Sequence, residues 1–204
     1  MTGGMTIAEK QHTVRRNIVD AARPLIGSRG FSAVGISQIL EVAKIPKGSF
    51  YHYFESKEAF GEELLRSYIE DYLHKMDDVF ASADRDGRAH ILAYCQFWRD
   101  THSGGQDGDK CLIVKLGAEV SDLSERMRAI LESGTAQAVE RLARIVGAGQ
   151  EDGSVPSSVT PHDFASMLYQ TWLGATLMAR IVRSSRPFDY AWMDTVRFLD
   201  DTGH

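Results

Sequence analysis

Apolar residues recur along this chain at every third or fourth position, and no stretch sustains the two-residue alternation of a strand. The spacing predicts an all-α protein of about nine helices. The first is expected from Ile7 to Arg29, with Val14, Ile18, Ala22, Leu25 and Ile26 on one face, a kink at Pro24 and a stop at Gly30. Two short helices follow, over about Ile36–Lys44 and Lys47–Tyr53, separated by a Pro-containing turn. A long helix then starts near Lys57, capped by Ser56 with Glu58 in its first turn, and is long enough to link two domains. Further helices are predicted over about Gly87–His102, from Lys110 to before Ser121, and over Leu123–Val146, Pro161–Arg183 and Phe188–Leu199. The Gly-rich stretch 103–109 reads as a flexible loop and 147–161 as a polar linker.

With 43% hydrophobic and 25% charged residues, the composition is that of an ordinary globular protein. No apolar run approaches the roughly 18 residues of a membrane span, so no membrane partner is expected. The amino end lacks the apolar segment of a signal peptide. The two cysteines, Cys95 and Cys111, cannot build a disulfide framework, which points to the cytoplasm. The net charge of −5 divides unevenly: residues 1–60 carry eight Lys/Arg against five Asp/Glu, and the excess of acid lies entirely in the remainder. A mildly basic head on an acidic body suits a protein of which only the head meets a polyanion.

Residues 43–58, AKIPKGSFYHYFESKE, concentrate the chemistry of that head. A helix entering the major groove presents its first turns to the bases, so the residues opening the second short helix matter most. Lys47 can meet a phosphate or a guanine edge. Gly48 lets backbone amides approach a phosphate closely, and Ser49 can donate a hydrogen bond. Tyr51 and His52 are long and polar-tipped, suited to backbone contacts, whereas Phe50 and Phe54 should pack inward against Ile39 and Leu40. Lys57, at the start of the long helix, offers another phosphate site, and Ser37 with Gln38 can grip the backbone from the preceding helix. Such contacts give affinity and register rather than sequence choice.

These residues resemble the N-terminal domain of TetR-family transcriptional regulators. The similarity rests on Gly30-Phe31, Ile36, Ile39, Ala43, the run Ile45-Pro46-Lys47-Gly48-Ser49-Phe50-Tyr51, then Tyr53-Phe54 and Ser56-Lys57-Glu58. Three positions depart from the family pattern: Gly35 stands where Thr is usual, Leu40 where Ala is common, and Lys44 in place of the turn Gly. The resemblance implies a helix-turn-helix DNA-binding domain at 1–56 and an effector-binding and dimerisation domain at 57–204. It further implies a homodimer that binds a palindromic double-stranded DNA operator and is released by a small-molecule effector. A helical interaction or scaffolding protein that kept the motif is the rival reading, distinguished by the steep salt dependence that operator binding requires.

The helix predicted from Pro161 is apolar on more than one face, as a helix with both its own core and a partner would be. Phe164, Leu168, Gly174, Phe188 and Trp192 are the candidate dimer-interface residues, and the resemblance implies a four-helix interface between two copies. Tyr94, Trp98, Met127, Tyr169, Trp172 and Met178 are candidates to line an effector pocket. Cys111 follows the Gly-rich loop, opens a helix and neighbours Lys110, with Lys115 one turn on. Both the helix start and a nearby cation favour a thiolate. A TetR subgroup with Cys at a similar place senses electrophiles or oxidants, which makes Cys111 a candidate sensor; a small buried hydrophobe is the alternative. Cys95 lies on an apolar face and reads as core. No cofactor, metal or enzymatic activity is expected: there is no HExxH, CxxC or G-x-S-x-G, and GGQDGDKC lacks the GK[ST] ending of a phosphate loop.

Overall fold

The structure, a computed structural model, describes residues 7–103 and 111–200. Among these residues nine α-helices follow one another with no strand: α1 (Ile7–Arg29), α2 (Ile36–Ala43), α3 (Phe50–Tyr53, entered through a 3-10 turn at Lys47–Ser49), α4 (Lys57–Phe80), α5 (Gly87–His102), α6 (Leu112–Leu123), α7 (Glu125–Asp152), α8 (Pro161–Val182) and α9 (Arg186–Asp200). The expected loop at 103–109 and the start of the sixth helix at Lys110 fall largely outside the described residues.

Local chemistry accounts for most boundaries. Gly30 closes α1 at φ +96, a left-handed conformation that costs glycine nothing, and its N–H still bonds to Ile26 O at 2.8 Å. Pro24 lies within α1 without ending it. Ser56 Oγ accepts the Ala59 N–H at 3.0 Å and so caps α4. Asp86 and Thr160 do the same for α5 and α8 through the N–H groups of Ala89 and Asp163.

The largest boundary difference from the sequence reading is at the end of α7. α7 continues to Asp152, whereas its Gly147 and Gly149 suggested a linker from 147. Gly149 serves packing instead. A Cβ on Gly149 would meet Val155 Cγ2 at 2.4 Å and the Gly87 Cα at 3.0 Å. α5 and α7 therefore cross at a glycine pair, and the saved volume outweighs the helix cost of Gly, about 1 kcal/mol.

The helices group into two compact units. The first holds the described residues up to Glu70 together with Lys115–Glu132; the second holds Asp71–Val114 and the residues from Ser133 onward. The compact unit around the helix-turn-helix thus includes the first part of α4 and a segment distant in sequence. Its core is aliphatic and phenylalanine-rich, with Ile18, Ile26, Ile39, Phe50, Phe54 and Phe60 all buried. The second unit is built around Tyr94, Trp98, Trp172 and Phe188, also buried.

Candidate nucleic-acid interface and effector core

In the first unit, α2, the turn and α3 form a helix-turn-helix. Gly35 caps α2 in extended conformation, and Gln38 Oε1 accepts the Gly35 N–H at 3.0 Å. The Gln38 oxygen is thereby occupied, which leaves its amide N–H groups as donors on a partly exposed side chain; Ser37 beside it is exposed. Lys44 closes α2 at φ 55, ψ 40, and its N–H reaches Glu41 O and Leu40 O. The position where glycine was expected thus keeps its left-handed geometry with a lysine in place. Pro46 then starts the 3-10 turn, closed by Ser49 N–H to Pro46 O at 2.9 Å.

α3 is only four residues long, and its two sides differ sharply. Phe50 and Phe54 are buried, with ring centroids 5.4 Å apart, and both rings contact Phe60 of α4. This aromatic cluster fixes α3 from beneath. On the other side Tyr51 is 68% exposed and His52 is exposed, its ring edge-on to Tyr53 at 5.0 Å. Gly48 is exposed and a Cβ there would meet nothing within 4 Å, so no internal packing demands glycine. Ser49 is half-buried. Lys47 opens the turn, its side chain lying outside the described residues. Gly48, Ser49, Tyr51 and His52 therefore share a short segment presented outward on a rigid aromatic base.

Lys57, the candidate phosphate ligand at the start of α4, is tied into its own unit. It is half-buried, donates to Ser32 O at 3.3 Å and lies 4.8 Å above the Phe31 ring. Desolvation lowers its pKa, against the opposing charge of Glu119. Glu119 of α6 was not singled out from the sequence. Its carboxylate accepts the Phe31 N–H at 3.1 Å and the Ser32 N–H at 2.6 Å. Partial burial pushes its pKa up, but the bonds from Ser32 and Phe31 and the nearby Lys115 charge outweigh this and leave it below the ordinary carboxylate value. Lys115, expected to assist Cys111, is therefore an electrostatic neighbour of Glu119. Met127, nominated for the effector pocket, belongs to this first unit: its Sδ would lie 2.8 Å from a Cβ on Gly61 of α4, and it is buried.

The second unit holds a connected set of buried polar aromatics. The Tyr72 and Tyr94 hydroxyls are 2.8 Å apart, and Trp98 makes edge-on contacts with Tyr72, Tyr94, His102 and Tyr169. Burial drives the phenol pKa of both Tyr94 and Tyr169 upward, and Cys111 adds to the rise at each. Cys111, itself buried just ahead of α6, therefore lies within electrostatic reach of both phenols. Lys110 is outside the described residues. Burial also raises the Cys95 thiol far above its usual range, with Thr195 opposing, as befits an unreactive core cysteine. Trp172 is buried, donates to Thr195 Oγ1 at 3.2 Å and stacks on Phe188. Among the described residues no cluster of His, Cys, Asp or Glu could hold a metal, and no described helix is long and apolar enough to cross a membrane.

The interface candidates divide. Phe164, Leu168 and Phe188 are buried within the protomer and have no surface to offer, and Trp192 is half-buried. α8 and α9 nevertheless expose several large apolar side chains. Leu177, Met178, Ile181, Val182, Tyr190 and Met193 are all exposed, and Met178, Val182 and Tyr190 help to line a groove of about 730 Å³. Met178 is thus a surface residue of this groove and not of the aromatic core. Gly174 is exposed on the same helix, and a Cβ there would meet nothing within 4 Å.

A helix-turn-helix with an exposed polar face, ahead of an all-helical body, defines a class of DNA-binding regulators. Comparison with known proteins agrees. Residues 18–64 match the family described as bacterial regulatory proteins, tetR family, and residues 87–194 match the tetracyclin repressor-like C-terminal domain. The chain belongs to the TetR family of bacterial transcriptional regulators. It is 37% identical over 181 residues to the HTH-type transcriptional repressor NemR of Escherichia coli K12, covering 89% of this chain and 91% of that protein. It is 32% identical to the HTH-type transcriptional repressor DhaR of Mycobacterium sp. strain GP1, over 86% and 87% of the two chains. The crystal structure of the reduced form of E. coli NemR matches at a TM-score of 0.84 and 38% identity, over 90% of this chain and 95% of that one. The chain is accordingly a DNA-binding regulator and not an enzyme.

Proposed function

We propose that the protein is a repressor that binds a palindromic operator as a homodimer and is released by a small effector or a thiol-reactive electrophile. The observation that carries the DNA half is α3, a four-residue helix pinned by Phe50, Phe54 and Phe60 with Tyr51 and His52 facing outward. A donor-rich segment this rigid needs no ordering when it meets a duplex, so little affinity is lost to entropy. Gly48, Ser49, Tyr51 and His52 would supply phosphate and base contacts, joined by Lys47 and by Ser37 and Gln38 of α2. The repressors among its relatives favour blocking a promoter over activating one. Such a protein works where the bacterial chromosome is, in the cytoplasm.

The homodimer is supported by the exposed apolar residues of α8 and α9, Leu177, Ile181 and Met193 among them, and by Gly174, where a Cβ would meet nothing within 4 Å. Exposed apolar side chains gathered on one surface mark a place where another molecule packs. An isologous pairing of the same two helices buries it in both copies.

The effector half rests on Cys111 and the phenols of Tyr94 and Tyr169, joined by Trp98. An electrophile that bonds to the Cys111 sulfur enlarges a side chain in a close-packed interior, which that packing tolerates poorly. The binding half is tested by selecting operator duplexes from a random pool and repeating the titration with Tyr51→Ala. Affinity should fall at least tenfold while the dimer persists, about 1.4 kcal/mol; unchanged affinity counts against the assignment. The effector half is tested by Cys111→Ser, which should no longer be released by thiol-reactive compounds.

A further inference from the structure

We propose that Glu119 is a positioning residue for DNA recognition: from α6 it holds the Phe31–Ser32 corner and thereby sets where α2 and α3 stand. The inference rests on the operator-binding reading above. The corner between α1 and α2 is gripped by opposite charges at adjoining atoms. Glu119 takes the N–H groups of Phe31 and Ser32 at 3.1 and 2.6 Å, and Lys57 of α4 gives a hydrogen bond to Ser32 O at 3.3 Å. Gly30, at φ +96, has no Cβ, and one built there would stand 3.0 Å from Glu119 Oε2. The turn is therefore shaped around the carboxylate.

The α6–α7 segment that carries Glu119 is fastened to the same unit twice more. Ser124 Oγ donates to a Glu58 carboxylate oxygen in α4, and Met127 packs beneath Gly61. It forms one compact unit with the helix-turn-helix although 88 residues separate Glu119 from Phe31.

The Ser32 bond is exposed and the Phe31 bond only partly buried, so water could satisfy these amides without Glu119. Their contribution to folding is correspondingly small. Their contribution to placement is not, because α2 starts four residues beyond Ser32 and contacts to base edges tolerate little displacement. Glu119 would thus govern discrimination between operator and other DNA more than stability or general affinity.

The test uses the full-length wild-type protein, Glu119→Ala and Glu119→Gln, with duplexes selected by the wild type and a scrambled duplex at the same salt concentration. Glu119→Ala should lose about tenfold in operator affinity, with less than about twofold change on the scrambled duplex. Its melting temperature and sedimentation should match the wild type, and the Phe31 and Ser32 amides should exchange faster. Glu119→Gln keeps one acceptor oxygen where the carboxylate uses two, and should recover only part of the loss. Unchanged operator affinity in Glu119→Ala overturns the proposal. So does a parallel fall on both duplexes, or, should the alanine variant not fold, a glutamine variant with wild-type discrimination and wild-type exchange. If the wild type selects no duplex at all, the operator-binding reading fails and this inference falls with it.

Discussion

Trp98 of α5 donates its indole N–H to the hydroxyl of Thr176 on α8, 2.8 Å away and out of reach of water. The same hydroxyl donates to Trp172 O at 2.8 Å. One threonine thus serves two tryptophans of the aromatic core and ties α5 to α8. Thr176→Val keeps the shape but leaves the Trp98 N–H buried without an acceptor, a loss of about 1–3 kcal/mol. Urea unfolding should show it as a lower midpoint at an unchanged slope. Thr176→Ser should recover most of it; a valine variant as stable as wild type would contradict the account.

Lys44 makes the opposite kind of prediction. It holds φ 55 at the end of α2, where a side chain costs about 1–2 kcal/mol relative to the right-handed region. Lys44→Gly should raise stability by about 0.5–1 kcal/mol, the relief being partly offset by the greater freedom of glycine when unfolded. Thermal melting measures the gain. A lower melting temperature would mean that the lysine side chain contributes something the geometry does not reveal.

The exposed surface of α8 and α9 yields a prediction about assembly. Ile181 is 64% exposed. Ile181→Asp should therefore cost the isolated protomer little. In a dimer it would bury two unpaired carboxylates and weaken association by about 2 kcal/mol or more. Sedimentation at micromolar concentration should shift from dimer toward monomer. A variant that remains fully dimeric would place the interface elsewhere.

The helix-turn-helix was legible because its signals are local. Gly30, Ser56, the Pro46 turn and the spacing of Phe50 and Phe54 each fix backbone or packing within a few residues. Other features depend on partners far along the chain. Glu119 sits in an unremarkable amphipathic helix, and only the fold brings it to Phe31 and Ser32. Gly147 and Gly149 look like helix breakers until Gly87 is seen against Gly149. On α8 both apolar stripes read alike, so periodicity could not tell that Phe164 and Leu168 face the protomer's own core while Leu177 and Ile181 face outward. The attachment of Lys57 to Phe31 and Ser32 was hidden for the same reason, being tertiary. The place of Met127 beneath Gly61 is likewise tertiary.

The central claim is that two outward-facing α3 segments read one duplex together. Hydroxyl-radical footprinting of the wild-type protein on a selected operator tests it most directly. The account predicts two protected patches of matching sequence in opposite orientation, on one face of the duplex and centred about 34–36 Å apart. A single patch, or none at low salt, would contradict it.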